Sequence, residues 1–119
     1  MKKGMATSGL NFDDREPDVV LPQPSPQRAA NLEFFRTYDA PAAHSYRLDI
    51  AALSAAATRI VPAGGRTSQE MWTHHSAEAL ADRLGRAFVE FPGGHNGPML
   101  HPRAFAQRLR DVLGDEQGT

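Results

Sequence analysis

The amino-acid sequence predicts an α/β protein built on one strand–helix–strand–helix (βαβα) unit with parallel strands. Two short apolar runs, at 58–62 and 87–91, lead into segments rich in proline and glycine, which is typical of strands that open into tight loops. A helical pattern follows each run. Because strand–helix–strand connections within one sheet are right-handed and join parallel strands, the four elements are expected to form one unit over residues 58–114.

The segment ahead of this unit is expected to be irregular and then helical. Residues 1–24 are interpreted as a disordered tail or linker, because three prolines oppose regular structure there. Ser25 followed by a proline is a typical helix start and predicts a helix over about 26–37. Residues 38–49 are expected to be irregular, and Asp49 is expected to cap a further helical turn, so that residues 25–57 form a helical connection to the sheet.

Between the two strands, the pattern T-x-x-E at Thr67 and Glu70 is a capping box, in which each side chain satisfies the backbone N–H of the other residue. It predicts a helix that starts at residue 68. Gly85 stands where a residue in the left-handed conformation commonly ends a helix. The inner face of this helix is expected to use Trp72, Leu80 and Leu84.

Pro102 is expected to begin the last helix and Gly114 to end it, followed by a frayed tail at 115–119. The apolar stripe of this helix consists of Phe105, Leu109, Val112 and Leu113. Parallel strands are normally buried on both faces, and two of them cannot cover their own sheet edges. The unit is therefore interpreted as the end of a larger sheet.

Composition excludes several classes of protein and partner. The chain has 119 residues and a formal charge of −1, so it lacks the basic field that nucleic acid or an anionic membrane surface would require. It has no cysteine, which excludes disulfides and thiolate chemistry. A signal segment and a membrane-spanning run are not recognisable, and we expect a cytoplasmic protein. The spacing of His74, His75, His95 and His101 matches no zinc pattern, and nucleotide-binding motifs are missing, so no metal or cofactor is expected.

The loop FPGGHNG after the second strand places His95 among glycines. Open α/β sheets carry their reactive groups at the carboxyl ends of strands. Gly93, Gly94 and Gly97 let the backbone turn sharply and leave the imidazole accessible, as a general base requires. A solvent-exposed turn histidine would show the same pattern, so position alone leaves both interpretations open.

The sequence from TRIVPAGG through FPGGHNG to PRAFAQRLRDVL resembles the last two strand–helix units of α/β-hydrolase fold enzymes, as found in many bacterial esterase-like and peptidase-like proteins. The resemblance covers about residues 27–114, with the segment before the first strand as a connection or cap remnant. It is most specific in the P-G-G-H-x-G loop and the P-x-x-F-A-x-x-L helix. It implies a partial α/β-hydrolase-like fold in which His95 is the base of a catalytic triad.

The other two members of a triad are not evident. In the family an acid commonly follows the strand that precedes the histidine strand, where this sequence has two glycines and Arg66. Glu70 is the nearest carboxylate and is the candidate partner of His95, although the capping box gives it a purely structural alternative. No serine stands in a G-x-S-x-G nucleophile elbow. The serines that fail this pattern are Ser8, Ser45, Ser54, Ser68 and Ser76.

The leading expectation is a C-terminal fragment of a hydrolase-like protein that carries the triad histidine but no nucleophile and is inactive alone. A missing N-terminal hydrolase half would complete it, and its substrate would then be a small-molecule ester or amide. The alternative is a non-catalytic binding or assembly module that pairs through its exposed sheet edge, for instance as a homo-oligomer. A third interpretation is a truncated or split reading frame.

Overall fold

The computed structural model describes residues 11–114 and shows helices around a two-stranded parallel sheet. In chain order the elements are α1 (Pro26–Phe34), a π-helical segment (Phe35–Asp39), α2 (Ala40–Ser45), α3 (Ile50–Ala55), β1 (Ala63–Gly65), α4 (Trp72–Leu84), β2 (Val89–Phe91), α5 (Gly97–Leu100) and α6 (Pro102–Gly114). This arrangement agrees with the predicted mixed α/β class, but a sheet of two strands is too small to identify a hydrolase fold. The predicted tail at 115–119 and the first ten residues, which include Ser8, lie outside the described residues.

The helical segment ahead of the sheet is longer than the sequence predicts. Ser25 caps α1 as expected, because its Oγ accepts a hydrogen bond from the backbone N–H of Arg28 (3.0 Å). The helical path then continues beyond residue 37 to Ser45. Pro41 explains the π-helical segment: it has no N–H to donate to the preceding turn and its ring needs space there, so the helix widens before it.

Helix α3 begins as predicted, with Oδ1 of Asp49 accepting a hydrogen bond from the backbone N–H of Ala52 (3.0 Å). None of the residues in α1, α2 or α3 is buried. Ahead of these helices, residues 11–25 contain neither a helix nor a strand. The disorder predicted for residues 1–24 and the division of the chain at residue 57 stay predictions.

The two strands pair in parallel, as predicted, with Ala63 opposite Val89 in the first of three residue pairs. The predicted position of the first strand is wrong, because none of residues 58–62 is in a strand and β1 lies in the glycine segment that was expected to form the loop. The backbone N–H of Val89 donates to the carbonyl of Pro62 (3.1 Å). The turn at Gly85, which ends α4, lies only a few residues before Val89, so β2 cannot extend further upstream. Residues before Pro62 therefore have no strand to pair with.

The capping-box prediction is wrong, because α4 begins at Trp72 and not at residue 68. The backbone N–H of Thr67 donates to the carbonyl of Gly93 (3.0 Å), so Thr67 continues the contact between the ends of the two strands. It is therefore not available to cap a helix with Glu70.

Gly85 ends α4 in the left-handed conformation, with φ of +66°, as predicted. The buried stripe of the helix differs from the prediction, since it consists of His74 and Ala81. Trp72, predicted on the inner face, is 68% exposed and meets the ring of His44 edge-on, with 6.5 Å between ring centroids. At about 100° per residue, Trp72 lies roughly 200° around the helix from His74, on the opposite side.

The buried apolar residues are few and lie in α4, β2, α5 and α6: Ala81, Phe91, Leu100 and Val112. Helix α6 begins at Pro102 and ends at Gly114, as predicted. Of its apolar stripe, Val112 is buried, whereas Leu109 and Leu113 are exposed, because no third strand lies beyond β1 in residues 11–114. None of the helices in this range has the length and apolarity that a bilayer crossing requires.

Candidate active site

Glycines shape the loop that follows β2. Gly93 has a φ of +83°, a backbone conformation that favours glycine. A Cβ on Gly65 would lie 2.6 Å from the carbonyl carbon of Gly94, so β1 and the loop approach this closely only because residue 65 has no side chain. His95 follows directly and is exposed. The loop therefore holds an accessible imidazole at the carboxyl end of β2, where α/β sheets place reactive groups.

The hydrogen-bond partner of His95 is not the residue that the sequence suggested. Its Nδ1 lies 3.4 Å from Oγ1 of Thr73, in the first turn of α4. Glu70 is exposed, and no hydrogen bond joins it to His95 in the described part of the chain. The structure thus brings Thr73 to the imidazole, and the predicted role of Glu70 as an orienting acid stays a prediction.

A cavity of about 520 Å³ lies beside β1, between α4 and α6, and reaches the His95 loop. Near the carboxyl end of β1 its lining is polar and includes Ser68, Thr73, His74 and His95. The remaining lining is mainly apolar and includes Val61, Phe91, Phe105, Leu109 and Val112. Ligand pockets commonly combine such an apolar wall with a few polar groups, and this volume falls in their usual range.

His74 is a site residue whose role the sequence did not reveal. It is buried in the wall of the cavity, with its ring 5.0 Å from that of Phe88. Its Nδ1 lies 3.5 Å from Oε1 of Glu78, one helical turn further along α4. The spacing of a histidine and a glutamate at i and i+4 was visible in the sequence. The burial was not, because it depends on Gly64 and Phe88, which pack against the ring and are distant from it in sequence.

Neither a nucleophile nor a metal site is formed by residues 11–114. Of the serines that fail the nucleophile-elbow pattern and lie in the described residues, Ser68 alone lines the cavity. Its Oγ donates a hydrogen bond to the carbonyl of Gly65 (3.3 Å). No serine in this range hydrogen-bonds His95. Nor do histidine and acidic side chains cluster there in a set of three or more that could hold a metal ion. Within the described residues, His95 therefore has no nucleophile beside it.

An acidic strap, defined as residues 14–18, contacts the start of α6. The carboxylate of Glu16 accepts hydrogen bonds from the backbone N–H groups of Arg103 (3.1 Å) and Ala104 (3.0 Å) at the start of α6. The Ala104 N–H is the main cause that lowers the pKa of Glu16. The side-chain hydrogen bond from Arg103 likewise lowers the pKa of Asp18, and Asp18 raises the pKa of Arg103.

These features define a mixed α/β protein with an accessible histidine after the second of two parallel strands. The chain is similar to a protein named Uncharacterized hydrolase YraK from Bacillus subtilis (strain 168), with 38% identity over 91 residues. The match covers 73% of this chain and 34% of the relative, so the chain spans about a third of that protein's length. No protein-family model and no solved structure matches the chain.

Proposed function

We propose that this chain is the histidine-bearing, C-terminal portion of an α/β-hydrolase-like enzyme of the serine hydrolase or esterase type. The observation that carries the proposal is the position of His95, exposed on a glycine loop directly after a parallel strand. The similarity to a protein named as a hydrolase supports it. The completed enzyme would act on a small-molecule ester or amide.

In this role His95 is the general base. Its Nε2 would take the proton of the nucleophile and then return it to the leaving group. Oγ1 of Thr73 can accept a hydrogen bond from Nδ1–H, which leaves the lone pair on Nε2. A hydroxyl stabilises the imidazolium less well than a carboxylate does. Glu70 stays the candidate for that carboxylate, and it would have to displace Thr73 from Nδ1.

The base requires a nucleophile and oxyanion donors from outside residues 11–114. A general base contributes about 10²–10⁴-fold to a rate, a small part of the acceleration that enzymes achieve. We therefore expect little or no hydrolase activity from the chain alone. Incubation with a fluorophosphonate probe and a p-nitrophenyl ester tests this expectation, which fails if a serine is labelled and turnover depends on His95.

A chimaera tests the base role itself. Residues 27–114 replace the matching segment of the Bacillus subtilis relative, and hydrolysis of p-nitrophenyl esters is followed. We expect His95→Ala to lower kcat/KM of the chimaera by at least about 10²-fold. His75→Ala, which removes an exposed imidazole from α4, is the matched control and should leave the rate unchanged. An active chimaera that tolerates His95→Ala would refute the base role.

A second candidate function is an assembly module that pairs through the free edge of β1. The carbonyl of Pro62 and the N–H of Arg66 both bond to the β2 side. Because successive residues of a strand alternate in direction, the backbone groups of Val61 and Ala63 face away from β2. They have no strand partner in the described residues, and apolar side chains of α6 flank that edge.

Analytical ultracentrifugation discriminates this candidate. If the edge pairs with a second copy, the chain sediments as a dimer at low micromolar concentration. Ala63→Pro, which removes an N–H directed away from β2, should then yield monomers. Ala63→Thr keeps that N–H and is the control. A folded wild-type monomer at this concentration would count against pairing between copies.

A further inference from the structure

Helix α1 and the π-helical segment that continues it carry large apolar side chains that no part of residues 11–114 buries. At about 100° per residue, these side chains lie within roughly half of the helix circumference. They are Leu32, Phe34, Phe35 and Tyr38, and each is exposed. The other half of the circumference is polar and includes Glu33, Arg36 and Thr37. The segment is therefore an amphipathic helix with an exposed apolar side.

A stripe of four residues runs along the apolar side: Arg28, Leu32, Phe35 and Asp39. Successive members are three or four residues apart, so their side chains lie one above another on the helix. The centre of the stripe is apolar, and its two ends carry opposite charges. Arg28 and Asp39 are exposed, and neither forms an ion pair with another described residue. The stripe thus has an apolar surface and two charges that lack partners in residues 11–114.

This stripe is complementary to a second, antiparallel copy of itself. When Leu32 faces Phe35 of the second copy, Arg28 faces Asp39 of that copy, because each charged residue lies four positions beyond its apolar neighbour. Two-fold symmetry repeats each contact, so both ends of the pair gain an Arg–Asp contact around an apolar centre. A parallel pair would instead place like charges opposite each other, which is unfavourable.

Other surfaces and occupants fit the stripe less well. A helix that lies on an anionic membrane has a polar side rich in lysine and arginine, whereas the polar side here carries Arg36 beside the acidic Glu33. The free edge of β1 is a separate surface, because no residue of α1 lines the cavity beside that strand. The pattern of charge therefore favours a second copy as the occupant.

We propose that α1 and the π-helical segment form a two-fold, antiparallel helix–helix interface with a second copy of this chain. The inference does not rest on the proposed hydrolase role, since neither His95 nor β1 takes part. Each copy contributes nine residues of α1 and five of the π-helical segment, which is a small contact. We therefore expect a weak dimer with a dissociation constant near about 100 µM, which leaves the low-micromolar test of the β1 edge undisturbed.

Sedimentation equilibrium of the complete chain, from about 10 µM to about 0.5 mM, tests the interface. We expect a concentration-dependent dimer that Phe35→Gln weakens at least about tenfold, because each copy loses an apolar contact at the centre. Ala30→Gln introduces the same side chain on the opposite side of α1 and should change the dissociation constant less than about twofold. A chain that stays monomeric, or a dimer that tolerates Phe35→Gln, would refute the proposal.

Charge reversal tests the antiparallel register. Arg28→Glu sets two acidic side chains against each other at both ends, and Asp39→Arg sets two basic ones, so each should weaken the dimer about tenfold. The double variant with both substitutions should regain the wild-type dissociation constant, because the two pairs return with their signs exchanged. Arg28→Glu also completes a capping box with Ser25, so loss of helix would not explain a weaker dimer. A double variant as weak as the single ones would exclude this register.

The remaining part of a hydrolase-like enzyme is the alternative occupant. The chimaera with the Bacillus subtilis relative separates the two cases, because it supplies the rest of such an enzyme. If Phe35→Gln lowered the urea midpoint of the chimaera while the isolated chain stayed monomeric, the stripe would pack within the enzyme and pairing between copies would be wrong. If the isolated chain dimerises through Phe35, the second copy is confirmed as the partner.

Discussion

The helical segment 26–55 and the βαβα unit at 63–114 differ in the interactions that stabilise them. The helical segment contains α1, α2 and α3, and none of the residues in these helices is buried. Buried residues occur in every helix of the βαβα unit and at the end of β2. Helical pattern and good caps are thus enough to place helices, but burial requires a sheet on which they can pack.

Local hydrogen bonds support the helical segment. Ser25 and Asp49 cap helices, and Gln27 bonds to Asn31 (2.8 Å) one turn along α1. Side-chain pairs of this kind contribute only a few tenths of a kcal/mol each. The aromatic residues of the segment are exposed and add little burial: Phe34, Phe35, Tyr38 and Tyr46. We therefore expect the stability of the chain to depend on the βαβα unit.

The largest effect should come from removing the central aromatic residue of that unit. Phe91 is 8% exposed and packs against Phe105, whereas Phe34 is 59% exposed. Phe91→Ala is expected to lower the free energy of unfolding by about 3 kcal/mol, because it leaves a cavity and loses apolar contacts. Phe34→Ala, the same substitution in the helical segment, should change it by less than about 0.5 kcal/mol. Urea denaturation followed by circular dichroism measures both, and similar losses would contradict the comparison.

A glycine contact should have the next largest effect. A Cβ on Gly65 would overlap the backbone of Gly94, which cannot move aside as a side chain can. Gly65→Ala is therefore expected to cost about 1–3 kcal/mol and to displace the loop that carries His95. Gly114→Ala is the control, because a Cβ there meets no atom within 4 Å, and it should change stability by less than about 0.5 kcal/mol. If both substitutions are tolerated equally in urea denaturation, the strand and the loop are not in close contact.

Features that depend on neighbouring residues could be predicted from the sequence. The caps at Ser25 and Asp49, the left-handed Gly85 and the start of α6 at Pro102 each follow from two or three adjacent residues. The parallel pairing followed from the order of the elements, because handedness leaves few alternatives.

Features that depend on distant residues could not be predicted. Thr67 lies in a sequence pattern that is typical of a helix N-cap, but its backbone N–H donates to the carbonyl of Gly93, which is distant in sequence. His74 and His75 are neighbours with the same side chain, but only His74 is buried, where its ring packs against Gly64 and Phe88. The glycine loop predicted an accessible His95, whereas its contact with Thr73 depends on where α4 begins.

The acidic strap was also missed, because its partners lie in α6, far along the chain. The prolines of this segment predict only that it lacks regular structure, whereas the hydrogen bonds that Glu16 accepts satisfy two free N–H groups at the start of α6. Negative charge at a helix N-terminus is favourable as well. The βαβα unit is therefore held partly by residues that precede the helical segment.

The smallest of the three effects is expected from this strap, and it depends on pH. The pKa of Glu16 is lowered in the folded chain, foremost by the hydrogen bond from Ala104. A carboxyl group with a lowered pKa stabilises the fold above its ordinary pKa and loses that contribution as the pH falls through the folded value. The urea midpoint of the wild-type chain should therefore fall between about pH 5 and pH 3. Glu16→Gln should lower the midpoint slightly at pH 7 and reduce this pH dependence, whereas Asp13→Asn, at a fully exposed side chain, should retain it. The same pH dependence in wild type and Glu16→Gln would mean that Glu16 does not hold α6.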